Sequence, residues 1–219
     1  MTDTETDTFE AKRRARKTAR SLVIGGVAGF LATFLVMQFV DAFAVDRLGF
    51  SREAALLVGL IYLLLSIAIA FGVFLPDAGE KFLNVEDGDE LREQRAMLSA
   101  NDVGSGALGA ALMLAALSGE GAVFGATPGL IGFLALVIVS IGANVVSFRR
   151  QDELMRAVNN ESMALSYTLI VIAGGGWAAL THFGVVGQPQ ALDWLTLFFA
   201  IMLIATFIVA GLRGMLATR

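Results

Sequence analysis

The sequence predicts an all-α polytopic integral membrane protein, a six-helix transmembrane bundle, and three observations carry that prediction. Apolar runs of roughly 20 residues recur along the chain, each long enough at ~1.5 Å per residue to cross a ~30 Å hydrocarbon core. Of the 219 residues 56% are hydrophobic and 16% charged, with a mean hydropathy of +0.72, which is too apolar for a soluble domain. Lysine and arginine gather in alternate connections, the asymmetry that sets the direction of insertion.

The chain opens on a polar, acidic stretch from Met1 to Glu10 that has little to bury, and continues into Lys12, Arg13, Arg14, Arg16, Lys17 and Arg20. Residues 1–20 are therefore expected to form a disordered and basic cytoplasmic tail, its cations drawn to anionic head groups beside the first span. Ser21 to Val40 is that first span. Ala42-Phe43-Ala44 after it resembles a signal-peptidase site, but the apolar run is longer than a signal peptide needs, so retention as a span is expected. After Asp46, Arg47, Arg52 and Glu53, the second span runs over about 54–75 and stops at Pro76-Asp77, where proline cannot continue the hydrogen-bonded ladder. An acidic segment follows, and its Gly88 does not align with a calcium loop because Leu83 and Val85 stand where oxygen ligands would be required.

The third span is placed at about 98–117, with Asn101 and Asp102 in its first turns because the strictly apolar part begins only at Val103. Thr127-Pro128 offers an N-cap and a first-turn proline for a fourth span over 129–148. The connection that follows, Phe148 to Tyr167, concentrates polarity between two apolar runs. Asp152 can cap the next helix with Glu153 in its positive first turn, and Asp152 and Arg156 are spaced to pair. A fifth span is placed at 163–183 and a sixth at 194–212, the latter capped by Asp193. The bundle thus occupies 21–213, and 214–219 form a cytoplasmic tail.

Six spans with the amino terminus inside leave only Arg47 and Arg52 on the outer face, which predicts both termini in the cytoplasm. Trp177 and Trp194 fall near the outer side, where indole rings favour the interface. At one offset Asp89-Glu90-Leu91 meets Asp152-Glu153-Leu154, Ser99 meets Ser162 and Ala115-Ala116-Leu117 meets Ala178-Ala179-Leu180, for which duplicated helical hairpins and chance matching of alanine and leucine in apolar segments are equal readings.

Among the motifs, Gly104-Ser105-Gly106-Ala107-Leu108-Gly109 matches a dinucleotide fingerprint only in letters. It opens an apolar helix where a strand and crossover would be needed, so Gly104 and Gly109 are expected to serve close helix packing. Gly25 and Gly29 have the same spacing logic. Gly174-Gly175-Gly176 falls midway along the fifth span, where it could unwind to expose carbonyls to a solute or offer a smooth packing surface, and packing is favoured. Ionisable groups at membrane depth are candidates for function because they are costly there. Asp41 and His182 fall at outer ends of their spans, and Asp102, Asn144 and Glu161 at inner ends. Asp102, Gly174, Gly175, Gly176, Asp41 and His182 are the candidate proton or solute site, Asp41 and His182 as a carboxylate–imidazole pair at the outer side for which ordinary boundary residues are the favoured reading. Arg149, Arg150, Asp152, Glu153, Arg156 and Glu161 make the cytoplasmic turn, with partner docking as its second role.

With one histidine and no cysteine there is no histidine-based triad, thiol nucleophile or helical metal motif to read, so no enzyme activity, metal or cofactor is expected. Nucleic-acid binding is not suggested either. The segment Asp152-Glu153-Leu154-Met155-Arg156-Ala157-Val158, with Glu161, Ala164 and Tyr167, resembles a D-E-apolar-x-R turn motif of small bacterial polytopic membrane proteins of unknown function. Ala157 stands where that motif often has a basic residue. The resemblance implies a bacterial inner-membrane protein and no particular activity. The expected function is that of an accessory, assembly or homo-oligomeric membrane subunit, in contact with the bilayer and a membrane-protein partner or further copies of itself. A small proton-coupled solute transporter is the alternative.

Overall fold

The computed structural model describes residues 49–74 and 88–215, the backbone alone over 88–94, together with Phe34 and Gln38 as helical positions. Apart from Phe34 and Gln38, the first expected span, with Gly25 and Gly29, lies outside those residues, as do Asp41, the basic cluster and the acidic segment ahead of Gly88. Within them the fold is all-helical, with five helices: α1 (Phe50–Phe74), α2 (Gly88–Ala116), α3 (Ala126–Arg150), α4 (Glu153–His182) and α5 (Ala191–Leu212). Four of these, α1, α3, α4 and α5, are long and apolar enough to cross a membrane.

The remaining helix, α2, is longer than its apolar part, at 29 residues or about 43 Å. It begins at Gly88 and not near Leu98, so the acidic Asp89-Glu90 pair lies inside the helix and Asp102 stands midway along it, which corrects the sequence expectation. The reason is local. Glu90, Leu91, Arg92, Glu93, Gln94, Arg95, Ala96 and Met97 are all good helix formers, and a helix need not end where hydrophobicity does. Asp102 is tolerable because α2 is the most surrounded helix, packing against α1, α3 and α5, with Ala111, Leu112 and Ala116 fully buried, whereas Asn101 is exposed. A helix clothed by other helices has less need of a lipid-compatible surface.

The bundle is knit by small residues. Where α1 crosses α2, a Cβ on Gly109 would sit 2.7 Å from the Gly59 carbonyl oxygen, and one on Gly59 would sit 2.8 Å from that of Gly109. Only glycine on both sides permits this approach, as expected for helices that associate by van der Waals packing rather than hydrophobic exclusion. Toward one end, Ala55, Leu56, Leu112 and Ala116 form the core, with Leu192, Leu195 and Phe199 of α5 packed on it. Tyr62 ties α1 to α5 by donating its hydroxyl to the Phe199 carbonyl at 3.0 Å. The 117–125 loop closes the same end: the Gly119 N–H donates to the Phe124 carbonyl, the Phe124 N–H donates to the Leu117 carbonyl, and Arg52 donates to the Glu120 carbonyl at 3.2 Å. This is the loop end; the opposite, turn end carries Gln151-Asp152.

Caps at three helices follow local chemistry. Asp152 caps α4, its Oδ1 accepting the Met155 N–H at 2.7 Å. For α3 the cap position is Gly125, two residues earlier than the expected Thr127, so Thr127 and Pro128 lie inside the first turn. Asp193 acts from inside α5, accepting the N–H of the cap residue Gln190 at 2.7 Å.

The offset read from the sequence relates two helical hairpins. α2 packs on α3, and α4 packs on α5. Advancing α2 and α3 by the offset that brings Asp89 onto Asp152 lands them on α4 and α5. The packing register moves with them: Gly132 meets Leu114 in the first hairpin, and Gly174 meets Trp194 and Leu197 in the second. Between the hairpins, α3 and α4 are joined by Gln151 and Asp152 alone, both extended, yet share no packed face. They splay from the turn end.

Candidate functional site

Asp102 is the buried acidic residue among those whose side chains are described, 8% exposed, and its Oδ1 has no hydrogen-bond partner. The groups around it are hydroxyls and backbone carbonyls. Ser66 of α1 and Ser105 of α2 both donate to the Asp102 backbone oxygen, at 3.3 and 3.0 Å. One turn away, Ser140 of α3 donates to the Gly104 carbonyl at 2.8 Å, and Asn144 donates to the Ser140 carbonyl and hydroxyl at 2.9 and 3.2 Å. Missing Cβ atoms make room for this polar belt, since one on Gly106 would meet Ser66 Oγ at 2.6 Å and one on Gly104 would meet Asn144 Nδ2 at 2.8 Å.

The chemistry open to such a belt is limited. Burying a carboxylate without a cation is expensive, and a proton on the group removes most of that cost. Among the described residues no three histidine, aspartate or glutamate side chains converge as a metal site.

The structure separates the other candidates. α4 runs unbroken through Gly174, Gly175 and Gly176, so the backbone carbonyls there remain in the helical ladder and are not exposed to a solute. A Cβ on Gly174 would lie 3.0 Å from the Trp194 ring, whereas Gly175 and Gly176 face open space. These glycines are not brought beside Asp102, because α4 does not pack on α2. His182 is exposed in the last turn of α4 with its ring 5.4 Å from Phe183, and Asp41 lies outside the described residues.

A second polar group forms at the turn end. Arg213, just past α5, reaches back to Glu161 with both Nε, at 3.1 Å, and Nη2. Glu161 precedes the apolar part of α4, and the hydrogen bond from Arg213 holds its carboxyl below the ordinary glutamate range. Arg149 and Arg150 end α3, and the Arg156 guanidinium lies over the Phe148 ring at 5.4 Å, folded back across the turn. Ser147, 2% exposed, and Ser162 are buried without a partner for their hydroxyls.

Sequence reasoning missed Ser66, Ser140 and Tyr62, and the partner of Glu161. A signal for some was present: Ser140 and Ser147, and Ser162 and Ser166, recur at helical spacing inside apolar runs, which marks a protein-facing side. Tyr62 and Ser66 of α1 have the same i, i+4 spacing, so the mark extended to them as well. No protein-family model, curated protein or solved structure matches the chain.

Proposed function

We propose that the protein is a six-span subunit of a bacterial inner membrane, with both termini cytoplasmic, that works by association with another membrane protein or with copies of itself. The observation that carries this reading is the splay of α3 and α4. Consecutive helices of a compact bundle normally cover each other, but here α3 packs on α2, α4 on α5, and neither on the other. Each leaves an apolar face uncovered, with Ile131, Ile138 and Ile141 exposed on α3 and Met163, Val171 and Ile172 on α4. Alongside them on α4, Gly175 and Gly176 offer backbone at close range, the feature by which helices attract one another in lipid. The turn that joins the two helices, with Arg149, Arg150, Asp152, Glu153 and Arg156, presents charge to the cytoplasm in this orientation.

The test is extraction of the tagged full chain in a mild detergent followed by native mass spectrometry. The reading expects a homo-oligomer or a stoichiometric membrane-protein partner, lost when Gly175 and Gly176 are replaced by leucine. A chain that runs alone at every detergent concentration overturns it. Leucine at Gly25 and Gly29 tests the contact expected of the first span.

Asp102 supports a second reading, proton-coupled movement of a small solute. An aspartate embedded between helices with an unpartnered oxygen is the group such coupling requires. Reconstituted protein that drives solute-dependent proton uptake, and loses it in Asp102→Asn, would favour transport; an unchanged Asp102→Asn variant removes the proposed role.

A further inference from the structure

We propose that the turn end of the α3–α4 wedge binds an anionic phospholipid, with its phosphate held by Arg149, Arg150 and Arg156 and its acyl chains lying against the uncovered faces of α3 and α4. The inference rests on the chain lying in a membrane; the lipid takes the turn-end part of these faces, and Gly175 and Gly176, toward the loop end of α4, are left to the partner of the proposed function.

Three features converge. Arg149 and Arg150 stand where the apolar run of α3 ends, the level at which lipid phosphates lie. Arg156, from the other side of the two-residue turn, is held over Phe148, the residue adjoining Arg149, so cations from two helices meet at one tip. All three are exposed, and among the described residues none is in an ion pair, in contrast to Arg213, which is taken by Glu161. Asp152, the cap of α4, and Glu153 beside it offset part of this charge but interact with the positive end of that helix, and the three arginines leave the tip net cationic. Below the tip the two helices diverge, and the apolar side chains exposed nearest the turn are Val145, Val146 and Phe148 on α3 and Leu154 on α4.

A site that is cationic at one end and apolar below has the polarity of a phospholipid. A soluble phosphate or an acidic peptide would use only the tip. Arginine suits the phosphate because its planar fork donates two hydrogen bonds at once, and basic positions between membrane helices are where anionic lipid head groups are held.

The full chain, in detergent doped with equal phosphatidylglycerol and phosphatidylcholine, is read by native mass spectrometry for retained lipid. One phosphatidylglycerol per chain is expected, at about a tenfold preference over phosphatidylcholine. The preference is expected to vanish when Arg149, Arg150 and Arg156 are all replaced by glutamine, and to survive in part when all are replaced by lysine. Excess glycerophosphate, the head group without chains, is expected not to displace the lipid. Equal retention of the two lipids, a preference that persists in the triple glutamine variant, or displacement by glycerophosphate would each overturn the proposal. Should the glutamine variant not fold, the wild-type preference must fall with added salt, and a salt-independent preference overturns it equally.

Discussion

Gly59 and Gly109 show most directly how single residues decide this structure. Each stands within 3 Å of where the other's neighbourhood would meet a side chain, and the obstacles include backbone oxygens that cannot step aside. Gly109→Leu is expected to separate α1 from α2 and lower stability by roughly 1–3 kcal/mol or more, measurable as a lower midpoint of thermal unfolding in detergent. Gly175→Leu, placed where nothing lies within 4 Å, is expected to leave that midpoint unchanged while altering association. Tyr62→Phe removes the bridge to the Phe199 carbonyl and should cost about 1 kcal/mol, read in the same assay. The Glu161–Arg213 pair gives a pH signature. The folded-state carboxyl titrates below its unfolded value, so its contribution is complete above the ordinary glutamate range and is lost as pH falls through the folded value. Between neutral pH and about pH 3, the wild type is expected to lose more thermal stability than Glu161→Gln, and equal losses would show that the pair contributes nothing. Residues of this kind were partly legible. Asp102, Gly104, Gly109 and Glu161 stood out by type and position, but their pairing with Ser66, Gly59 and Arg213 did not, because a contact across two helices leaves no trace in the spacing along one.

At the scale of elements, hydrophobicity located α1, α3, α4 and α5, since lipid demands an unbroken apolar run and the sequence must supply it. The same criterion misplaced the start of α2. Its first turns are polar helix formers that need no membrane, so the helix extends beyond the apolar part. Caps were readable where an aspartate made them, at Asp152 and, one turn displaced, Asp193, and misread at Thr127, where the chain uses Gly125 without a side-chain bond. Asp152→Ala is expected to cost about 0.5–2 kcal/mol and to fray α4, which amide hydrogen exchange at Met155 would detect. Continuity of α4 through its three glycines is likewise an element-scale result: the ladder persists because Gly174 is braced by Trp194 and Leu197. Trp194→Ala is therefore expected to raise exchange around Gly174, whereas unchanged exchange there would mean that the helix needs no brace.

For the whole molecule, the all-helical class of the described residues and the four helices long and apolar enough to cross a membrane were legible because apolar runs of about 20 residues mark them, while the arrangement of helices was not. Apolar periodicity is weak when lipid and protein interior are equally apolar, so nothing in the runs says which helix neighbours which. The match at one offset was the exception. Paired hairpins were one of its two readings, and α2–α3 and α4–α5 are such pairs, with α1 packed on both α2 and α5. The junction between them is unusual in one respect: Gln151 and Asp152 carry the chain across, but the helices on either side do not touch along their lengths. Among the described residues the two halves it joins meet only where α5 packs on α1 and, more lightly, on α2, so covalent continuity at this turn holds together what packing alone secures least. Residues 1–151 and 152–219, expressed together, are therefore expected to co-purify only weakly. A cut inside the 117–125 loop leaves the extensive α2–α3 face to rejoin the pieces and should be the more forgiving of the two.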